Sequence, residues 1–70
     1  MKKSFEIPVY NAEVRKAIQN NQLHANLEAK WADIHLIMIR AHTADEALAI
    51  CRRKHPEKMG FILGDVSESI

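Results

Sequence analysis

Cysteine is nearly absent from this chain. Cys51 is the only one among 70 residues, so no disulfide can form within a monomer. A lone thiol also gives no sign of an oxidising compartment. Glycine is scarce as well. Gly60 and Gly64 are the two present, and they do not make the glycine-rich loop that cradles a phosphate chain. An excess of charge of one sign is missing. Ten Lys and Arg against nine Asp and Glu leave a net +1, which gives no strong pull toward nucleic acid or anionic lipid. Long apolar runs are missing too. The opening MKKSFEIPVYN has two lysines, but Glu6 and Pro8 break up the apolar residues behind them. Neither a signal peptide nor a membrane span is expected, and the cytoplasm is the default location. The sequence has no repeats and no low-complexity tracts.

The residues that are present read as one globular domain over 1–70, closing on a polar tail at 67–70. The apolar fraction, 47%, is ordinary for a folded protein and too high for a disordered one. A domain of this length buries only about 60% of the surface its unfolded chain exposes. Stability is then marginal, and a metal, a disulfide or a partner chain commonly supplements it. The single cysteine leaves a metal or a partner.

Hydrophobic periodicity places the elements. Phe5, Ile7 and Val9 alternate with Glu6, Pro8 and Tyr10, the pattern of a strand. Pro8 lacks a ladder donor, so this strand is expected to be short or at a sheet edge. Asn11 suits a helix N-cap, with Glu13 in the first turn and Val14, Ala17 and Ile18 at helical spacing. Asn20-Asn21 is a stop. In residues 22–33, Leu23, Leu27 and Trp31 recur every four positions. That spacing suits a short helix with Asn26 capping its second part, or else an irregular segment pinned by Trp31. Residues 34–41, IHLIMIRA, are apolar on both faces, which implies a central strand covered on both sides. Thr43-Ala-Asp-Glu46 is a capping box that starts a helix running to about Lys54. Pro56 stops it. Gly60 opens a last strand at 61–66. The order implies an α/β fold, with α+β as the other reading: a small three-stranded sheet, a parallel βαβ unit at 34–66, and helices packed on it.

The stretch CRRKHPEK at 51–58 concentrates the chain's chemistry. On a helical projection Ala44, Ala47, Leu48, Cys51 and His55 share an inward arc, and Arg52 and Arg53 lie outside it. Bases at a helix C-terminus complement its dipole, and an inward thiol is a small apolar filler. A metal at Cys51 and His55 has ligands at i and i+4 on one face but lacks two more. The other histidines are His24, His35 and His42, and the odd separation of His35 and His42 along a strand sends them to opposite sides. A thiol–imidazole nucleophile would need an exposed, electropositive thiol. Arg52, Arg53, Lys54 and Lys58, with Lys2 and Lys3, could contact an anion or nucleic acid. Asp45, Glu46 and Glu57 dilute that patch, and the strands offer no exposed aromatic pair for stacking bases. Asp33 and Asp65, each near a strand end, do not establish a carboxylate pair. The sequence therefore points to a non-enzymatic protein-interaction module without cofactor or metal, binding a partner or itself. The alternative is a weak anion or nucleic-acid binder through 52–58.

The same pattern raises a question of covering. With both helices on one side of the sheet, several large aliphatic side chains remain on the other. A homodimer or another partner protein is then expected, with covering by residues 22–33 within one chain as the competing account.

Overall fold

A computed structural model describes residues 1–24 and 27–69. The chain runs β1 (Lys3–Asn11), α1 (Ala12–Gln19), β2 (His35–Ala41), α2 (Ala44–Lys54), β3 (Phe61–Leu63) and β4 (Ser67–Ser69). It is a small α+β fold, a four-stranded antiparallel sheet with two helices. β1 lies in the middle. β2 pairs with it along its length, from Lys3 opposite Ala41 to Val9 opposite His35. On the other flank β3 pairs with residues 9–11 of β1, and β4 pairs with residues 4–6.

A proline in a central strand needs an explanation, because it has no N–H for the ladder. The register supplies one. Val9 faces Leu63, whereas Glu6 faces Ser67. Residues 64–66 therefore oppose only Ile7 and Pro8, which makes a β-bulge with one extra residue. The Gly64 N–H donates to the Pro8 carbonyl at 2.7 Å, so Pro8 turns its backbone toward the bulge, where no donor is required. Gly64 is needed for this approach: a Cβ there would lie 2.6 Å from Pro8 Cγ. The first strand is thus interior and long, not the short edge strand its proline suggested. The strand expected at 61–66 breaks at the bulge, and the expected polar tail supplies β4 through Ser67–Ser69.

The β-α-β order at 34–66 holds, but β2 and β3 are not neighbours. Each is antiparallel to β1, so they run parallel to one another with β1 between them. The core lies on one face only. Phe5, Ile7 and Val9 of β1 pack with Ile39 and Ala41 of β2, Phe61 of β3, and Ala47 and Cys51 of α2. The described residues of 22–33 match the second of the two expectations, an irregular segment pinned by Trp31, and not the short helix. Leu23 is exposed, and Ala29–Ala32 make a single 3₁₀ turn. Trp31 pins that turn by ring contacts with His35 at 4.9 Å, Phe61 at 5.2 Å and His55 at 5.6 Å. The cap foreseen at Asn26 lies outside the described residues.

Both N-caps are where the sequence places them. Asn11 Oδ1 accepts from the Val14 N–H at 3.0 Å, and Thr43 Oγ1 accepts from the Glu46 N–H at 3.1 Å. Glu46 reaches back one residue further than a capping box requires, accepting from the His42 N–H at 3.3 Å. α1 ends at Asn20, and Asn21 takes a φ of +55°, which asparagine tolerates better than most residues. Thr43→Ala is expected to cost about 0.5–2 kcal/mol. A thermal melt should show a fall of several degrees. An unchanged midpoint would mean that the His42–Glu46 bond alone holds the helix start.

Candidate functional site: the open face and outer edge of the sheet

Side chains alternate along each strand, and partners directly opposite share a face. The odd positions of β1 and β2 form the covered face. The even positions form the other face. In register there, Ser4 lies beside Arg40, Glu6 beside Met38, Pro8 beside Leu36, and Tyr10 beside Ile62. Ile34, one residue ahead of β2, continues the alternation. Ile34 is 61% exposed, Leu36 64%, Met38 54% and Ile62 39%. With the half-buried Pro8 and Tyr10 they form one apolar area at one end of the face. Ser4, Glu6, Arg40 and Ser67 make the other end polar. Arg15 borders the apolar end. Its guanidinium carbon lies 3.9 Å from the Tyr10 ring centroid, and Nε and Nη2 donate to the Ala32 carbonyl at 3.0 and 2.8 Å.

The two-sided apolarity of 34–41 therefore does not mark a strand covered on both sides. β2 is an outer strand, and its second apolar side is the open face. Its backbone is also open on one flank. The Gly64–Pro8 bond and the bond from the Ala12 N–H to the Gly60 carbonyl at 2.8 Å turn the even residues of β1 toward β3 and β4. The odd residues then face β2. By the same alternation Ile37 and Ile39 turn toward β1, while Leu36, Met38 and Arg40 turn their N–H and C=O groups away from the sheet. Among the described residues nothing pairs with that flank.

The stretch 51–58 resolves into a helix end. Cys51 is buried, and Arg52, Arg53, Lys54 and Lys58 are all exposed. Ala47 and Cys51 of the foreseen arc are buried, whereas Ala44 is exposed. His55 Nδ1 lies 3.0 Å from the Cys51 carbonyl and 3.7 Å from Cys51 Sγ. A carbonyl can only accept, so Nδ1 carries the proton and has no lone pair for the thiol. The two residues are close, but they are not arranged as nucleophile and base. Among the described residues no three His, Cys, Asp or Glu side chains gather as metal ligands would. Asp33 precedes β2 and Asp65 lies in the bulge, on opposite flanks of β1, and they are also offset along the strand. Arg52 and His55 share a shallow cavity of about 200 Å³ with Glu57, Phe61, Ile62 and Leu63.

Burial pushes the Cys51 thiol above its ordinary 9.0, with the nearby Lys54 charge opposing. The folded chain thus holds this proton more tightly than the unfolded one. Its contribution to stability is fully present below the unfolded pKa and is lost as pH rises beyond it. Denaturation midpoints should hold steady near neutrality and decline above about pH 9, more shallowly in Cys51→Ala. A bulky thiol reagent should react slowly with the native chain. Equal alkaline slopes in both proteins, or fast labelling, would place the thiol in water.

No family model matches this chain, and neither a curated protein nor a solved structure does. Among the described residues no helix is long and apolar enough to cross a membrane. The sequence foresees exposed aliphatic side chains on one face of the sheet, and the strand order shows which they are. Their signal was the exposed half of IHLIMIRA together with Ile62.

Proposed function

We propose that this chain is a small protein-interaction module that binds through the open face of its sheet. The observation that carries the reading is the cluster of Ile34, Leu36, Met38 and Ile62 on one uncovered side of a marginal domain. Burying each fully is worth roughly 1.5–3 kcal/mol, and exposed apolar areas rimmed by polar residues commonly mark docking sites. The reading is of a binder and not a catalyst, since aliphatic side chains transfer neither protons nor electron pairs. A free, buried thiol suits a reducing compartment such as the cytoplasm. A second reading rests on Arg52, Arg53, Lys54 and Lys58, four exposed cations around one helix end that could engage an anion or nucleic acid.

Salt separates the two. Phosphate contacts weaken steeply as salt rises, while apolar contacts do not. Immobilised protein should retain the same partner protein at about 0.05 and about 0.5 M salt, and Ile34→Lys or Ile62→Lys should release it. Retention by both variants would remove the open face from the account. Binding of a labelled oligonucleotide that disappears at high salt and in Arg52→Gln/Arg53→Gln would favour the second reading.

A further inference from the structure

We infer that β2 is the self-association edge of this protein, pairing antiparallel with β2 of a second copy across a two-fold axis at Met38. The inference goes beyond the open-face reading: it concerns the free backbone edge of β2, and the face at Ile34 and Ile62 stays available to a partner protein. The two flanks of the sheet differ in a way that matters. The β3/β4 flank is interrupted by a bulge, carries Gly64, and is built from two strands of three residues each. Short strands and bulges are how sheets discourage further pairing. The β2 flank has none of these. It runs seven residues in unbroken register with β1, contains no proline or lysine, and presents the backbone groups of Leu36, Met38 and Arg40.

Symmetry restricts the register, and full overlap selects one. Outward-facing residues must pair with outward-facing residues, so only alignments that match even positions are allowed. Full overlap of 35–41 with itself places Met38 opposite the partner's Met38, and Leu36 opposite the partner's Arg40. Each of the three pairs exchanges two backbone bonds, about six in all. The charges permit it. Arg40 is four residues along the strand from the partner's Arg40, about 14 Å, beyond the screening length of about 8 Å at physiological salt. On the open face Leu36 and Met38 of both copies join into one diagonal apolar stripe. On the covered face Ile37 meets the partner's Ile39 and extends the core across the boundary. The assembly also terminates itself: both outer flanks of the resulting sheet are the interrupted β3/β4 flank. A two-fold contact of this kind yields a closed dimer, not a fibre.

The contact is modest. A standard interface takes about 800 Å² from each partner, roughly one-sixth of this molecule's 5089 Å² surface, and one edge strand supplies less. Dissociation in the micromolar range is therefore expected, not nanomolar. Sedimentation equilibrium from about 1 to about 500 µM tests this, using three proteins. The wild type should pass from the 8.0 kDa monomer to a dimer within that range. Met38→Lys places two ammonium groups against each other at the axis and should weaken association at least tenfold, while near-ultraviolet dichroism from Trp31 stays native. Ile62→Lys alters the open face two strands away from the edge, and it should leave the dimer intact. A wild type that remains monomeric throughout, or a dimer that survives Met38→Lys, overturns the edge pairing. A dimer lost in Ile62→Lys also overturns it, in favour of face-to-face packing. None of these results touches partner capture at Ile34 and Ile62, which judges the open-face reading separately.

Discussion

Ile7→Ala is expected to remove about 2–5 kcal/mol. Ile7 is 0% exposed and sits midway along the central strand, beside Ile37 on one flank and the bulge on the other. The sheet has one covered face, and the row Phe5, Ile7, Val9 is its axis. Few neighbours can collapse into the void, because backbone pairs on both sides hold β1 in place. A chain of this length has only about 3.5–10 kcal/mol of stability in total, on the usual per-residue scale. The variant should therefore melt about 8 °C lower or more, on the scale of about 4–8 °C per kcal/mol for domains this small, or be unfolded at room temperature. Ile7→Val should lose only about 0.5–1.5 kcal/mol. Equal losses in the two variants would mean that the position senses strand propensity more than burial.

Asn11→Ala is expected to cost about 2–4 kcal/mol, since it removes a helix cap and strands buried polar groups. Among the described residues Asn11 is the one buried polar residue, and it joins three elements. It is the last residue of β1, its Oδ1 caps α1, and its Nδ2 donates at 3.0 Å to the Met59 carbonyl, 48 residues away. The turn it grips is tight. Gly60 has a φ of +93°, a left-handed conformation that side chains rarely adopt, and a Cβ there would come within 2.8 Å of Asn11 Oδ1. Asn11→Ser keeps a capping oxygen and loses only the bond to Met59, so it should show about half the loss in a denaturant titration. If serine and alanine prove equally damaging, the Met59 bond carries the energy and the cap does not.

Local chemistry was the legible part of this fold. Asn11 and Thr43 announce their caps because a short polar side chain before an amphipathic run has few other roles. Cys51 and the residues beside it gave the right inward and outward assignments because helical geometry is periodic. Neighbours in the sheet were not legible. Pro8 argued for an edge, and only the extra residue at 64–66, far along the chain, lets it sit in the centre. The apolar faces of 34–41 argued for a centre, because a pattern of side chains records that a face is apolar and not what covers it. Leu23, Leu27 and Trp31 matched a helix by spacing, yet the aromatic contacts of Trp31 with His35, His55 and Phe61 hold an irregular segment instead. The basic residues at 52–58 lie on the surface as their helical positions imply, whereas Ile34, Leu36, Met38 and Ile62 are scattered along the chain. Those four only become one feature once the strand order is known.

β2 is an outer strand whose far flank is open in the single chain, and the pairing we infer would close it. Amide hydrogen exchange along residues 35–41, read residue by residue at low and high protein concentration, tests this most directly. In dilute solution Ile37 and Ile39, which donate toward β1, should be protected, while Leu36, Met38 and Arg40 should exchange freely. On concentration the three fast amides should slow down and the two protected ones should change little. Protection of Leu36, Met38 and Arg40 in the dilute monomer would contradict the account, because it would place β2 inside the sheet.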